Sequence, residues 1–223
     1  MEILTLFLDI VLHLDKYLAG LLADYGIWIY PILFFIIFAE TGFVVTPFLP
    51  GDSLLFVAGA LAALGSDGAN GGMNIWALTI SLSAAAILGN MLNYQIGRFL
   101  GVRVFKWENS RFFNRDALLK TQAFYERHGG KTLVISRFLP IFRTFAPFVA
   151  GIGRMDYGRF CLYNMTGALA WIFSLCFAGY WFGNLVWVRE NLSLIIVGII
   201  AVSLLPLLFA WGKQKLAGKG KES

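Results

Sequence analysis

Four charged residues stand in stretches otherwise apolar enough for lipid. Glu40 and Asp52 are the only charges in residues 27–64, and Arg137 and Arg143 the only charges in residues 132–153. Prolines break both stretches: Pro47 and Pro50, followed by Gly51, in the first, and Pro140 and Pro147 in the second. An ionisable group at membrane depth is costly and normally faces a partner or a wet cavity. Two acids and two arginines sum to zero, so mutual neutralisation is physically attractive. The arginines stay charged at any relevant pH, and the guanidinium fork fits a phosphate. The carboxylates can take up protons. Ionised, they occupy the arginines; protonated, they free the arginines for an anion. A phosphate-bearing lipid head could then be held at the midplane while its tails stay in lipid, which lowers the desolvation barrier to crossing. Simpler roles stand beside this one. Asp52 is placed to cap a helix that follows Gly51, Glu40 can be half of a structural ion pair, and the arginines can snorkel towards head groups.

Other chemistries find less support. GDSLL at 51–55 looks like an esterase signature with Ser53 as nucleophile. A serine nucleophile needs a base, normally a histidine held by an acid, and no histidine follows His128. His13 and His128 have no metal-ligand spacing, so neither a metal nor any other cofactor is expected. Cys161 and Cys176 lie in one apolar segment, about 22 Å apart along a helix, too far to bridge, and read as packing residues. The chain is therefore expected not to be an enzyme.

The elements that must position the four charges are membrane elements. Of 223 residues, 58% are hydrophobic and 14% charged, and the mean hydropathy is +0.71; soluble domains are about 25% charged. The start, MEILTLFLDIVLHLDKYL, has no basic lead-in and is interrupted by Glu2, Asp9 and Asp15, so it does not read as a cleavable signal. Residues 3–24 mix charges with leucines and suggest an interfacial amphipathic helix within residues 1–26. Residues 65–72, GSDGANGG, form a loop. Residues 74–97 predict a span in which Ala86, Gly89, Asn90, Asn93 and Gly97 suit close helix contact. Residues 98–131 form a basic, hence cytoplasmic, loop. Spans follow at 160–187 and 191–212, then a basic tail at 213–223, also cytoplasmic. Arg154 and Arg159 read as interface anchors, and Trp171, Trp181 and Trp187 as packing and belt residues.

With the loop and the tail on one side, residues 132–153 must enter and return. By the same logic residues 27–64 dip in from the opposite side. The expected fold is an all-α polytopic bundle within 27–212, with two re-entrant broken-helix elements in an inverted repeat: 27–97 and 132–187. Broken apolar segments at matched positions in two halves point to a transporter's midplane site.

Glu40-Thr41-Gly42, Pro47-Phe48-Leu49-Pro50-Gly51-Asp52, Gly97-Arg98, Arg137-Phe138-Leu139-Pro140, Arg143, Ala150-Gly151 and the Asn164, Gly167, Trp171 series together resemble the DedA family of bacterial inner-membrane proteins, within the wider VTT-domain superfamily. The likeness runs from about residue 25 to 190. TGFVVTPFLPGDSLLFVAGALA is especially like the family's namesake member. The resemblance implies proton-dependent transport, envelope homeostasis and, in some members, translocation of undecaprenyl phosphate. It places proton coupling on Glu40 and Asp52 and phosphate binding on Arg137 and Arg143. Pro50, Gly51, Asn90, Asn93, Pro140 and Asn164 are the expected supporting residues. Asn90 departs from the family, in which an Asp often sits there. The expected partners are an anionic polyprenyl lipid or phospholipid, protons, the bilayer and a possible second copy, with no nucleic acid. A non-coupled scramblase and a proton-dependent solute or ion antiporter are the alternatives.

Overall fold

The structure, a computed structural model, describes residues 14–43, 51–64, 73–104, 129–185, 187–188, 191 and 194–199. The predicted helix before residue 14, Pro47 and Pro50, the loop at 65–72, most of the basic loop, both histidines, most of the last span and the tail lie outside the described residues.

Among the described residues every main element is a helix. Helix α1 (Leu14–Tyr25) leads through one 3-10 turn (Gly26–Trp28) into α2 (Ile29–Gly42). The joint falls at Gly26, whose φ of +51° favours glycine. Leu18 of α1 is buried in the core. The run Lys16–Gly42 is long and apolar enough to cross a membrane, so α1 continues a span-length helix where a separate interfacial element is expected. Helix α3 (Gly51–Leu64) follows, then α4 (Ile75–Val104), a short α5 (Lys131–Ser136), α6 (Pro140–Ile152) and α7 (Tyr157–Phe182).

Helix α4 outruns its predicted end at residue 97 by seven residues. Arginines end an apolar span but are good helix formers, so charge marks the membrane boundary without stopping the helix. Ile75–Leu100 and Tyr157–Phe182 are the other two span-length apolar helices among the described residues. Helices α3 and α6 have 14 and 13 residues, about 20 Å of rise each, short of the roughly 30 Å hydrocarbon core.

The short helices pack across the molecule. Helix α3 lies along α7 and α6 along α4, while α2 packs on α4 and α5 on α7. Glycine makes both crossings possible. A Cβ at Gly59 would overlap the Cys176 carbonyl, and one at Gly179 the Phe56 carbonyl; Gly97 and Gly151 stand in the same way against the Phe148 and Tyr94 carbonyls. Backbone thus touches backbone at two places, as small residues allow in membrane helices. Gly89 of the predicted contact face sits against Phe38 and Thr41 of α2.

Helix α6 ends with Met155 N–H donating to Ala150 O (3.0 Å) and Arg154 N–H to Gly151 O (3.1 Å). Arg154 takes the left-handed conformation usual for glycine there, φ +52°. The Asp156 carboxylate then accepts the Arg159 N–H (2.9 Å) and caps α7. The outer surface is apolar: Ile27, Trp28, Phe35, Ile80, Phe142, Leu162 and Trp181 are all more than half exposed. Large apolar side chains on the outside, around a core that holds buried charge, are what a lipid solvent selects.

Candidate functional site

The broken ends of the two segments face each other. Glu40 lies in the last turn of α2, Asp52 in the first turn of α3, and Arg143 in the first turns of α6. The Arg143 fork is divided between the two acids: Nη2 donates to Glu40 Oε1, and Nη1 to Asp52 Oδ1 at 2.6 Å. Arg143 is 2% exposed, Glu40 0% and Asp52 16%, so these are ion pairs shielded from bulk water. The second Glu40 oxygen faces the Gly51 backbone, without a well-formed hydrogen bond among the described residues. A Cβ at Gly51 would land on the Glu40 carboxylate; the glycine is what lets α3 start this close to α2.

A fourth group joins from α7. Trp171 Nε1 donates to the same Asp52 Oδ1 at 2.9 Å, and its ring lies 4.6 Å from the Arg143 guanidinium carbon. Sequence reasoning took Trp171 for a packing residue. A signal was present: Asn164, Gly167 and Trp171 recur at helical spacing and share one face of α7.

Arg137 departs from the expectation that the ionised carboxylates occupy both arginines. It is 1% exposed, in the turn between α5 and α6, yet it touches neither acid. Its Nη2 donates to Asn164 Oδ1 (2.5 Å) and to Asn164 O (3.4 Å). The Asn90 amide, turned with its oxygen towards the guanidinium, adds an acceptor at 2.7 Å. Nε and Nη1 have no hydrogen-bond partner among the described residues. The physical reason lies in packing direction: α6 runs along α4 and brings Arg143 to the acids, whereas the turn before it packs on α7 and turns Arg137 towards Asn164. Gly167 makes room, since a Cβ there would press on Arg137 Cδ at 3.0 Å.

Asn93 ties the two broken segments together. Its Nδ2 donates to Thr41 O (3.1 Å) at the end of α2 and to Thr144 O (2.8 Å) in α6. Asn164 Nδ2 reaches Ile87 O (3.1 Å), which adds an α7–α4 link. Asn93→Ala removes the donor that both buried carbonyls share, so we expect a loss of about 1–3 kcal/mol, measured as a lowered midpoint of thermal unfolding in detergent. Of the other predicted supporting residues, Pro140 opens α6 and Pro50 lies outside the described residues.

An all-helical bundle with span-length apolar helices, a lipid-suited exterior and a buried charge cluster defines a polytopic helical membrane protein. The VTT domain family matches residues 49–181. Protein DedA of Escherichia coli (strain K12) is 53% identical over 206 residues, covering 92% of each chain. An uncharacterized membrane protein of Mycobacterium leprae (strain TN) is 44% identical over 180 residues, 81% of this chain and 78% of the relative. Inner membrane protein YghB of Escherichia coli (strain K12) is 32% identical over 221 residues, 93% of this chain and 96% of the relative. The chain belongs to the DedA family of VTT-domain membrane proteins. No solved structure matches it.

Proposed function

We propose that this chain is a lipid transporter of the bacterial inner membrane that moves undecaprenyl phosphate between leaflets, coupled to proton uptake at Glu40 and Asp52. The observation that carries the reading is the unequal state of the two buried arginines. Arg143 is held by two carboxylates. Arg137 rests on neutral amides and keeps two N–H groups without partners among the described residues. An uncompensated guanidinium in a low-dielectric interior favours an anion of matching geometry. On this reading Arg137 attracts the phosphate first. Protonation of the carboxylates then releases Arg143 as the second donor. The site's residues bind, release and exchange protons; the reading assigns them no bond-breaking step.

The same reading makes each broken segment re-entrant and the two halves inverted copies, with the tail in the cytoplasm. Its support is the exchange of short helices: α2 on α4 is matched by α5 on α7, and α3 on α7 by α6 on α4. Along α4, Gly89 meets the first arm of its own broken segment and Gly97 the short helix of the other half; along α7, Gly167 and Gly179 do so in the same order.

The test is flipping of undecaprenyl phosphate by the purified protein in proteoliposomes at pH 6 and pH 8. On this reading protons loading the site loosen its hold on Arg143, so wild type is expected to move lipid faster at pH 6 than at pH 8. Glu40→Gln removes one hold permanently, and its rate is expected to depend much less on pH. Equal, pH-independent movement of many phospholipids by both proteins would make this a scramblase. No movement of any lipid would turn the reading towards solute or ion exchange.

A further inference from the structure

Trp171 makes two contacts that filling space does not require. It is 1% exposed, in the middle of α7. A buried indole N–H needs an acceptor, and this one takes the carboxylate oxygen that also receives Arg143 Nη1. The ring face then lies against the guanidinium at 4.6 Å. Asp52, Arg143 and Trp171 form a closed triangle drawn from α3, α6 and α7. Glu40 of α2 also faces Arg143; Arg137 is the other charged group nearby, and α4 contributes the neutral Asn90 and Asn93.

The triangle behaves differently from an ion pair when protons arrive. Neutral carboxylates no longer attract the guanidinium strongly, but the ring still does, because a desolvated cation over an indole is held by the ring's own charge distribution. An arginine without that platform is long enough to swing away. We propose that Trp171 is a positioning residue for transport: it keeps the Arg143 guanidinium at the site after the carboxylates are neutralised, with its fork open to the phosphate of an anionic lipid. The proposal rests on the transport reading above.

Trp171→Phe keeps an aromatic face and loses the N–H; Trp171→Leu loses both. In proteoliposomes at pH 6, Trp171→Leu is expected to raise the undecaprenyl phosphate concentration for half-maximal flipping about tenfold. Trp171→Phe should stay within about threefold of wild type. Equal values for wild type and Trp171→Leu overturn the proposal. So does a Trp171→Phe protein that folds, by thermal unfolding and gel filtration, yet is as impaired as Trp171→Leu. A second readout does not use transport. In protein labelled with 5-fluorotryptophan, the Trp171 fluorine resonance is identified by its loss in Trp171→Phe. It is expected to move away from its wild-type position in Asp52→Asn, which takes the charge from the oxygen that the indole N–H meets. A resonance that stays at the wild-type position in Asp52→Asn overturns the triangle. A wild type that moves no lipid while the resonance still follows Asp52 keeps the platform and overturns the transport reading instead.

Discussion

Arg143→Met is expected to destabilise the folded protein by about 3–5 kcal/mol, because it strands the buried Glu40 carboxylate and takes the cation from the half-buried Asp52 at once. The carboxylates come from different helices and share a single guanidinium. Their neutralisation should therefore restore much of the loss: the triple variant with Glu40→Gln and Asp52→Asn is expected to be closer to wild type than Arg143→Met alone. Such recovery marks residues that act as one network. Arg143→Lys separates charge from shape. A lysine ammonium cannot place two fixed N–H arms on two acids, so that variant should fold better than Arg143→Met and still fail in lipid flipping. Thermal unfolding in detergent reads the first quantity and proteoliposome flipping the second. Full activity of Arg143→Lys would reduce Arg143 to a generic positive charge.

Gly97→Ala and Gly179→Ala should each cost about 3 kcal/mol, at the upper end of the usual range for overpacking. At both positions the new methyl meets a main-chain carbonyl, Phe148 O or Phe56 O. No side chain can rotate out of the way, so two helices must separate. Gly20→Ala is the control. It lies in α1 with open space around it, and alanine is the better helix former by about 1 kcal/mol; we expect that change to be neutral or stabilising. If all three variants unfold together with wild type, the backbone contacts do not hold the bundle.

The four charges were legible in the sequence because a charge in lipid is expensive wherever it points. The breaks were legible for a related reason: Pro140 and Gly51 interrupt apolar runs that otherwise ask for continuous helix. Which acid meets which arginine was not legible. Arg137 and Arg143 lie six residues apart, and only the packing of α6 on α4 and of the preceding turn on α7 sends one to carboxylates and the other to amides. Trp171 is far from Asp52 in sequence, so composition describes it as one more apolar residue, and its N–H gains meaning only when α3 and α7 touch. The glycine faces could be read from spacing on α4. Their partners could not, since Gly89 meets α2 of its own half while Gly97 meets a short helix from the other half.

The exchange of short helices also bears on how the protein is made. Synthesis delivers α2, α3 and α4 before α6 and α7 exist. Until then the Gly59 face of α3 has no helix to receive it, and Glu40 and Asp52 have no Arg143. The first half alone thus carries two acids without the arginine that pairs them in the folded chain. Arrival of the second half supplies the missing helix and the missing positive charge in one event.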